Sequence, residues 1–164
     1  VHPEAFDFVK ECVHEHGPFT DVVEIGGRDV NGNVRSLFGD AAYVTTDIAE
    51  GPGVDVVVNG KDFVPATAPD CVVCTEVLEH TADAKAIVEN MAKMLRPGGV
   101  GIITCAGPGR HPHSAIDGNA LQPGEFYENV EGEDILRWVD PWVSFTLNSP
   151  QGRDTRVMFV KGDV

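Results

Sequence analysis

An α/β fold built on a largely parallel sheet is what this 164-residue sequence predicts. Three observations carry that reading. Runs at 20–26, 42–48, 54–60, 70–77 and 100–107 are apolar almost throughout, as strands covered on both faces must be. Helical stripes or Gly-bearing turns stand between several of these runs, so strand and helix alternate. Two last runs, at 142–149 and 154–162, are joined by PQGR and read as a hairpin. The total is about seven strands, with an antiparallel pair ending a parallel sheet and helices on both faces.

The chain opens on a stripe over 3–16, where Ala5, Phe6, Val9, Cys12 and Val13 recur at roughly helical spacing. TDVVEIG at 20–26 is the first strand. NGNVRSLFG at 31–39 is expected as a short helix stopped by Gly39. AYVTTDI at 42–48, VDVVVNG at 54–60 and DCVVCTEV at 70–77 are the next three strands. The clearest helix lies within 80–99. Ala84, Ile87, Val88, Met91 and Leu95 share one face, Thr81 is the expected cap, and Pro97-Gly98-Gly99 is the stop. VGIITCAG at 100–107 is the fifth strand. Residues 107–130 are rich in Gly and Pro and too long for a plain connection, so they are expected to carry function. A helix over EGEDILRWVD leads into the hairpin.

Composition is that of an ordinary globular chain, 42% apolar and 23% charged, and the length favours one domain. No apolar run approaches the roughly 20 residues that span a bilayer. Residues 1–17 carry acidic side chains and no apolar centre, so they do not read as a signal peptide. Against 26 Asp and Glu stand 12 Lys and Arg, for a formal net charge of −14. Nucleic-acid binding depends on basic side chains that neutralise phosphates, so no nucleic-acid acceptor is expected. Of the cysteines Cys12, Cys71, Cys74 and Cys105, the middle two form CVVC inside an apolar run. Residues three apart on a strand face opposite sides, so this pair can neither chelate one metal nor close a disulfide. All four are read as core thiols, which fits a cytoplasmic location.

Ligands of open α/β sheets sit beyond the carboxyl ends of the strands, where strand order reverses. Four of these ends carry polar residues: Glu24 with Gly26-Gly27, Asp47, Asn59, and Thr75-Glu76. Each has a bland reading as a turn or cap, but together they converge on one crevice. Asp47 follows the glycine pair by about twenty residues, where a carboxylate can accept hydrogen bonds from a ribose diol. The ligand is then a dinucleotide or S-adenosylmethionine. G-x-G-x-x-G lets backbone approach a pyrophosphate, yet here Arg28 and Asn31 stand at the second and third glycine positions and Asp29 adds negative charge. That is poor for NAD and less objectionable for a sulfonium ligand without phosphate.

VVEIGGRDVNGNVRSLF, YVTTDIAEGPGVDVVVNGKDF, TEVLEHTADAKAIVENMAKMLRPGG and the later HPHSAIDG…FYENVEGEDIL resemble a class I SAM-dependent methyltransferase of the type 11-like group. EVLEH followed by LRPGG is the most specific pair. The resemblance runs from about residue 20 to the end and implies a Rossmann-like seven-stranded sheet in the order 3-2-1-4-5-7-6, with strand 7 antiparallel. One methyltransferase domain over 1–164 is expected, without a separate cap domain, since only the helix at 3–16 and the loop at 107–130 offer lids. The resemblance also implies a cofactor set. Gly26 and Gly27 pass the methionine moiety, Glu24 is the first-strand acid, and Asp47 with Ile48 meets the ribose. Asn59 and Gly60 flank the adenine edge, while Glu76 and His80 stand near the reacting methyl. Arg28 and Val30 depart from the family's glycines, and Arg28 is expected to point outward or clamp a carboxylate.

Methyl transfer needs an aligned acceptor and, for an oxygen or nitrogen, a base. His80, His111 and His113 are the candidates, with Asp117 four residues past His113 as a possible orienting group. The His111-Pro112-His113 pair offers too few ligands for a metal, and no metal site is assigned. Asp117, Tyr127 and Asn129 are placed at the acceptor. The expected acceptor is a small molecule or a saccharide. A module that binds the cofactor without turnover, acting through a partner protein, stays as the alternative.

Overall fold

In the computed structural model, which describes residues 1–163, the expected strands join one seven-stranded sheet. They are β1 (Asp21–Ile25), β2 (Ala42–Asp47), β3 (Val56–Val57), β4 (Cys71–Thr75), β5 (Val100–Ala106), β6 (Val143–Asn148) and β7 (Asp154–Lys161). The order is β3-β2-β1-β4-β5-β7-β6. β1 to β5 pair in parallel, and β7 runs antiparallel to both β5 and β6. Order and directions are those the resemblance implied.

Side-chain alternation along the buried strands sorts the core into two layers. Val22, Cys71, Val73, Ile102 and Met158 pack towards helix α1 (Pro3–His16) through Phe8, Val9 and Cys12. Val23, Ile25, Val72, Cys74, Ile103 and Phe159 pack towards α2 (Ala84–Met94) and α3 (Gly132–Val139). Cys71 and Cys74 therefore lie on opposite faces, and all four cysteines are free and buried. Phe159 fills the space over Gly101, where an added Cβ would come within 2.1 Å of its ring.

Three elements differ from the sequence reading. The expected helix at 31–39 shrinks to a 3-10 turn, Arg35–Phe38, because Asp29 accepts from Gly32 N–H (2.9 Å) and Asn33 Nδ2 (2.7 Å) and holds the preceding stretch as a loop. The third strand shrinks to Val56–Val57, because it lies at the sheet edge with both side chains exposed. The helix expected within 80–99 starts late: His80 closes a 3-10 turn, Leu78–His80, and α2 starts only at Ala84. Thr81 is not the cap residue; its hydroxyl accepts Asp83 N–H at 3.0 Å, in the turn ahead of the helix. Strand order reverses between β1 and β4, which opens the crevice at their carboxyl ends.

Candidate functional site

A cleft of about 870 Å³ occupies that crevice. Its floor is the turn after β1. Gly26 and Gly27 both donate their N–H groups to Thr46 O, at 2.8 and 3.0 Å, which pins the turn to β2. Gly26 has φ 73°, and a Cβ there would lie 2.1 Å from Val77 Cγ2. A Cβ on Gly27 would lie 2.3 Å from Thr45 Cγ2 and 2.7 Å from the Glu24 carboxylate. Backbone thus lies bare at the cleft floor because no side chain fits. Arg28 is different: its φ is not left-handed, so the position tolerates a side chain. The arginine stem lies across Gly51, and no ion pair engages its guanidinium among the described residues.

Asp47, at the end of β2, lines the cleft. Its carboxylate accepts Arg28 N–H at 3.2 Å and Ala49 N–H at 3.0 Å, one on each oxygen. A carboxylate has about four lone-pair sites, so two remain for a ligand. Ile48 presents an apolar side chain beside it, 74% exposed. Glu24 is buried beneath Gly27 and accepts Tyr43 Oη–H at 2.8 Å. Burial pushes its carboxyl up, partly offset by that hydrogen bond. Asn59 lines the wall, but its amide is engaged: Nδ2 donates to Asp83 (3.0 Å) and Oδ1 accepts Lys61 N–H (3.1 Å). Gly60 packs against Ile25 and Ile87 so closely that a Cβ would lie 2.5 Å from Ile25 Cγ2.

On the far side stands Glu76, whose φ of 57° makes it the one non-glycine residue with positive φ among those described. Such strain costs on the order of 1–3 kcal/mol and collects at functional sites. Thr104 Oγ1 donates to its Oε1 at 3.0 Å, and His2 Nε2 lies 3.3 Å from its Oε2. Burial raises the Glu76 carboxyl, but the His2 contact and the Thr104 hydrogen bond outweigh that and hold it below its usual value. Glu76 in turn pushes His2 up. Asp154 lies 3.6 Å from His2 and pairs with Arg110 and Arg156. Of this group, only Glu76 was singled out by sequence. His2 and Asp154 come from distant parts of the chain and carry no local signal.

The acceptor candidates separate. His80, His113 and Tyr127 form one aromatic cluster, with ring centroids 4.9, 5.6 and 5.1 Å apart. His80 and His113 line the cleft, and Tyr127 stands behind them. Burial first, then His113, pushes His80 down. His111 lines the cleft but is exposed and outside the cluster. Asp117 does not orient His113. Its carboxylate accepts Asn119 N–H at 2.9 Å, and His113 Nδ1 instead faces His111 O at 3.2 Å. The loop turns back on itself between the two residues, since Gly118 N–H donates to Ser114 O. Asn129 braces the same loop, donating from Nδ2 to Arg110 O at 3.1 Å. Sequence reading gives no role to Glu79 of EVLEH. Glu79 is fully buried beside His80, and burial together with the charge of Glu76 pushes its carboxyl well up.

A family model described as a methyltransferase domain matches residues 1–144. Among solved structures, the sugar N-methyltransferase of a Streptoalloteichus species is similar, with TM-score 0.72 and 14% identity over 98% of this chain and 88% of the other. The N-methyltransferase NodS from Bradyrhizobium japonicum, in complex with S-adenosyl-l-homocysteine, has TM-score 0.64 and 15% identity over 96% and 85%. The 1,6-didemethyltoxoflavin-N1-methyltransferase of Burkholderia thailandensis, with 1,6-didemethyltoxoflavin and S-adenosylhomocysteine bound, has TM-score 0.66 and 17% identity over 97% and 79%. At these identities the likeness speaks for the fold. No curated protein matches the chain at a significant level.

Proposed function

The chain belongs to the methyltransferase-domain family of class I SAM-dependent enzymes, and on that premise we propose that it methylates an oxygen or nitrogen of a small molecule or saccharide, with S-adenosylmethionine as donor. The observation that carries this reading is the bare Gly26-Gly27 backbone with Asp47 beside it. The cleft fits a cationic nucleoside. Glu24, Asp47 and Glu76 line it alongside Arg28 and Arg110, and the carboxylates favour a sulfonium.

In this reading, Asp47 holds the ribose and Ile48 covers one face of the base. Asn59 and Gly60 shape the adenine edge, Asn59 through a side chain already tied to Asp83 and Lys61 rather than through a free amide. The Gly26-Gly27 backbone and Glu76 flank the methionine part. When bound, S-adenosylmethionine supplies an electrophilic methyl that needs alignment more than activation. Alignment alone supplies up to about 7–11 kcal/mol of barrier reduction. His80 and His113 face the acceptor. His113 Nδ1–H donated to His111 O leaves Nε2 as the atom that can take a proton from the acceptor as long as no metal ion holds that lone pair. Tyr127 and Asn129 hold the rings and loop that meet the acceptor. Residues 1–164 act as a single domain, in which the loop at 107–130 and the His2 end of α1 cover the cleft.

The experiment is a thermal shift followed by turnover. S-adenosylhomocysteine at about 100 times its dissociation constant should add about 2.7 kcal/mol of stability, and NAD should add none. Equal shifts with both, or none with either SAM form, overturn the reading. Release of S-adenosylhomocysteine with any acceptor in a radiolabel screen separates an enzyme from a silent binding module.

A further inference from the structure

Behind the cleft, one carboxylate oxygen of Glu79 and one ring nitrogen each of His80 and His113 lie within 4.8 Å of one another. Three separate constraints bring them there. The 3-10 turn Leu78–His80 sets Glu79 and His80 side by side. Glu79 is anchored twice, its Oε1 accepting Ala106 N–H at 3.1 Å and its backbone carbonyl accepting Glu128 N–H at 2.8 Å. His113 arrives from the loop at 107–130 and packs edge-on against His80.

The second observation is independent of the spacing. Among the described residues, Glu79 Oε2 and His80 Nδ1 are both buried without a hydrogen-bond partner, and so is the hydroxyl of Tyr127, whose ring packs on both imidazoles. Buried polar atoms are nearly always satisfied, so such orphans gathered in one place need a partner. The tautomer of His113 points the same way. Metal-bound histidines usually donate their other ring N–H to a carbonyl or carboxylate, and His113 Nδ1 faces His111 O at 3.2 Å.

We infer that Glu79, His80 and His113 form a binding site for one divalent first-row transition-metal ion, open on the side that faces the acceptor. Two imidazoles and a carboxylate with a vacant position are the donor set of mononuclear catalytic zinc and of related iron sites. Nitrogen donors count against Mg²⁺, which prefers oxygen and retains its waters. Ligand atoms around such an ion stand about 3.0–3.4 Å apart, so the three, already within 4.8 Å of one another, need close by no more than about 1.4–1.8 Å. The open position suits an acceptor oxygen or nitrogen. That use of the ion rests on the methyl-transfer reading, whereas binding of the ion does not.

The test uses the full chain without an affinity tag, stripped with chelator. Zn²⁺, Mn²⁺ and Mg²⁺ are titrated by calorimetry and Co²⁺ by visible absorption. One Zn²⁺ or Co²⁺ per chain is expected, with no competition from Mg²⁺ at equal concentration. His113→Ala and Glu79→Gln should each weaken Zn²⁺ by at least about 10- to 100-fold, the loss that removing even a supporting group causes. His14→Ala, at an exposed position on α1, should bind as the wild type does. Circular dichroism checks that the variants fold, and His113→Ala carries the test alone if Glu79→Gln does not. Absence of uptake by the wild type, or uptake undiminished in the folded variants, overturns the inference. S-adenosylhomocysteine is titrated separately. Cofactor binding without ion uptake sinks the metal site and leaves the methyl-transfer reading standing; ion uptake without cofactor binding does the reverse.

Discussion

Asp47→Ala tests the cofactor reading most directly. In the structure its two carboxylate oxygens accept backbone N–H groups of Arg28 and Ala49, so the side chain braces the loop it belongs to and keeps lone pairs for a ribose. Hydrogen bonds to a charged group are worth about 1.5–3 kcal/mol, so losing the ribose contact should weaken S-adenosylhomocysteine by about 10- to 150-fold. The two released N–H groups should also lower stability by about 1–3 kcal/mol. Asp47→Asn keeps one acceptor oxygen and loses the charge, so it should fall between the wild type and the alanine variant. Arg28→Gly is the comparison. Its N–H still reaches Asp47 and its side chain only covers Gly51, so the affinity loss should stay within a few-fold. Isothermal calorimetry with S-adenosylhomocysteine, after thermal melts confirm folding, ranks the three. Should Arg28→Gly cost more affinity than Asp47→Ala, Asp47 is not the ribose acid and the argument built on it is wrong.

Gly27→Ala forces a methyl against Thr45 and the Glu24 carboxylate, so cofactor affinity and about 1–3 kcal/mol of stability should be lost together in calorimetry and melts. Gly101→Ala presses on the Phe159 ring and should cost about 1–3 kcal/mol in chemical denaturation, while cofactor affinity in the folded protein is unchanged because that contact is remote from the cleft. Once an acceptor is known, His80→Ala and His113→Ala should each lower single-turnover rate by about 10²–10⁴-fold with cofactor affinity nearly constant, and His111→Ala should do far less; equal effects from all three would remove the cluster from the chemistry. The His2–Glu76 contact should depend on pH with a defined sign. His2 is raised, so its contribution is full below its ordinary value of 6.5 and is lost as pH rises through the raised value. Glu76 is lowered, so its contribution is full above 4.5 and is lost as pH falls through the lowered value. The melting difference between wild type and His2→Ala should then peak between about pH 4.5 and 6.5 and shrink on both sides, and a flat difference would show that the pair does not form.

Strand positions, a sheet covered on both faces and the opposite facing of Cys71 and Cys74 follow from information that is local in the chain, apolar runs, their period and the turns between them, whereas the strand order came from the family resemblance. The meeting of the glycine pair and Asp47 at one cleft was legible for the same reason, since both stand at the carboxyl ends of adjacent parallel strands. Element lengths were not legible. The stretch around Asp29 and the pair Val56–Val57 look like a helix and a full strand in isolation, but side-chain hydrogen bonds and an edge position decide otherwise. Nor was the partnership of His113. Sequence proximity favours Asp117, whereas the fold of the loop carries that carboxylate to Asn119 and sets His113 against His80 and Tyr127. The largest difference is Glu79. In the sequence it is one acid among 26, and only tertiary packing seals it from solvent and leaves one oxygen without a partner among the described residues, beside two imidazoles. Burial and three-body proximity depend on residues far apart in the chain, so no local pattern encodes them.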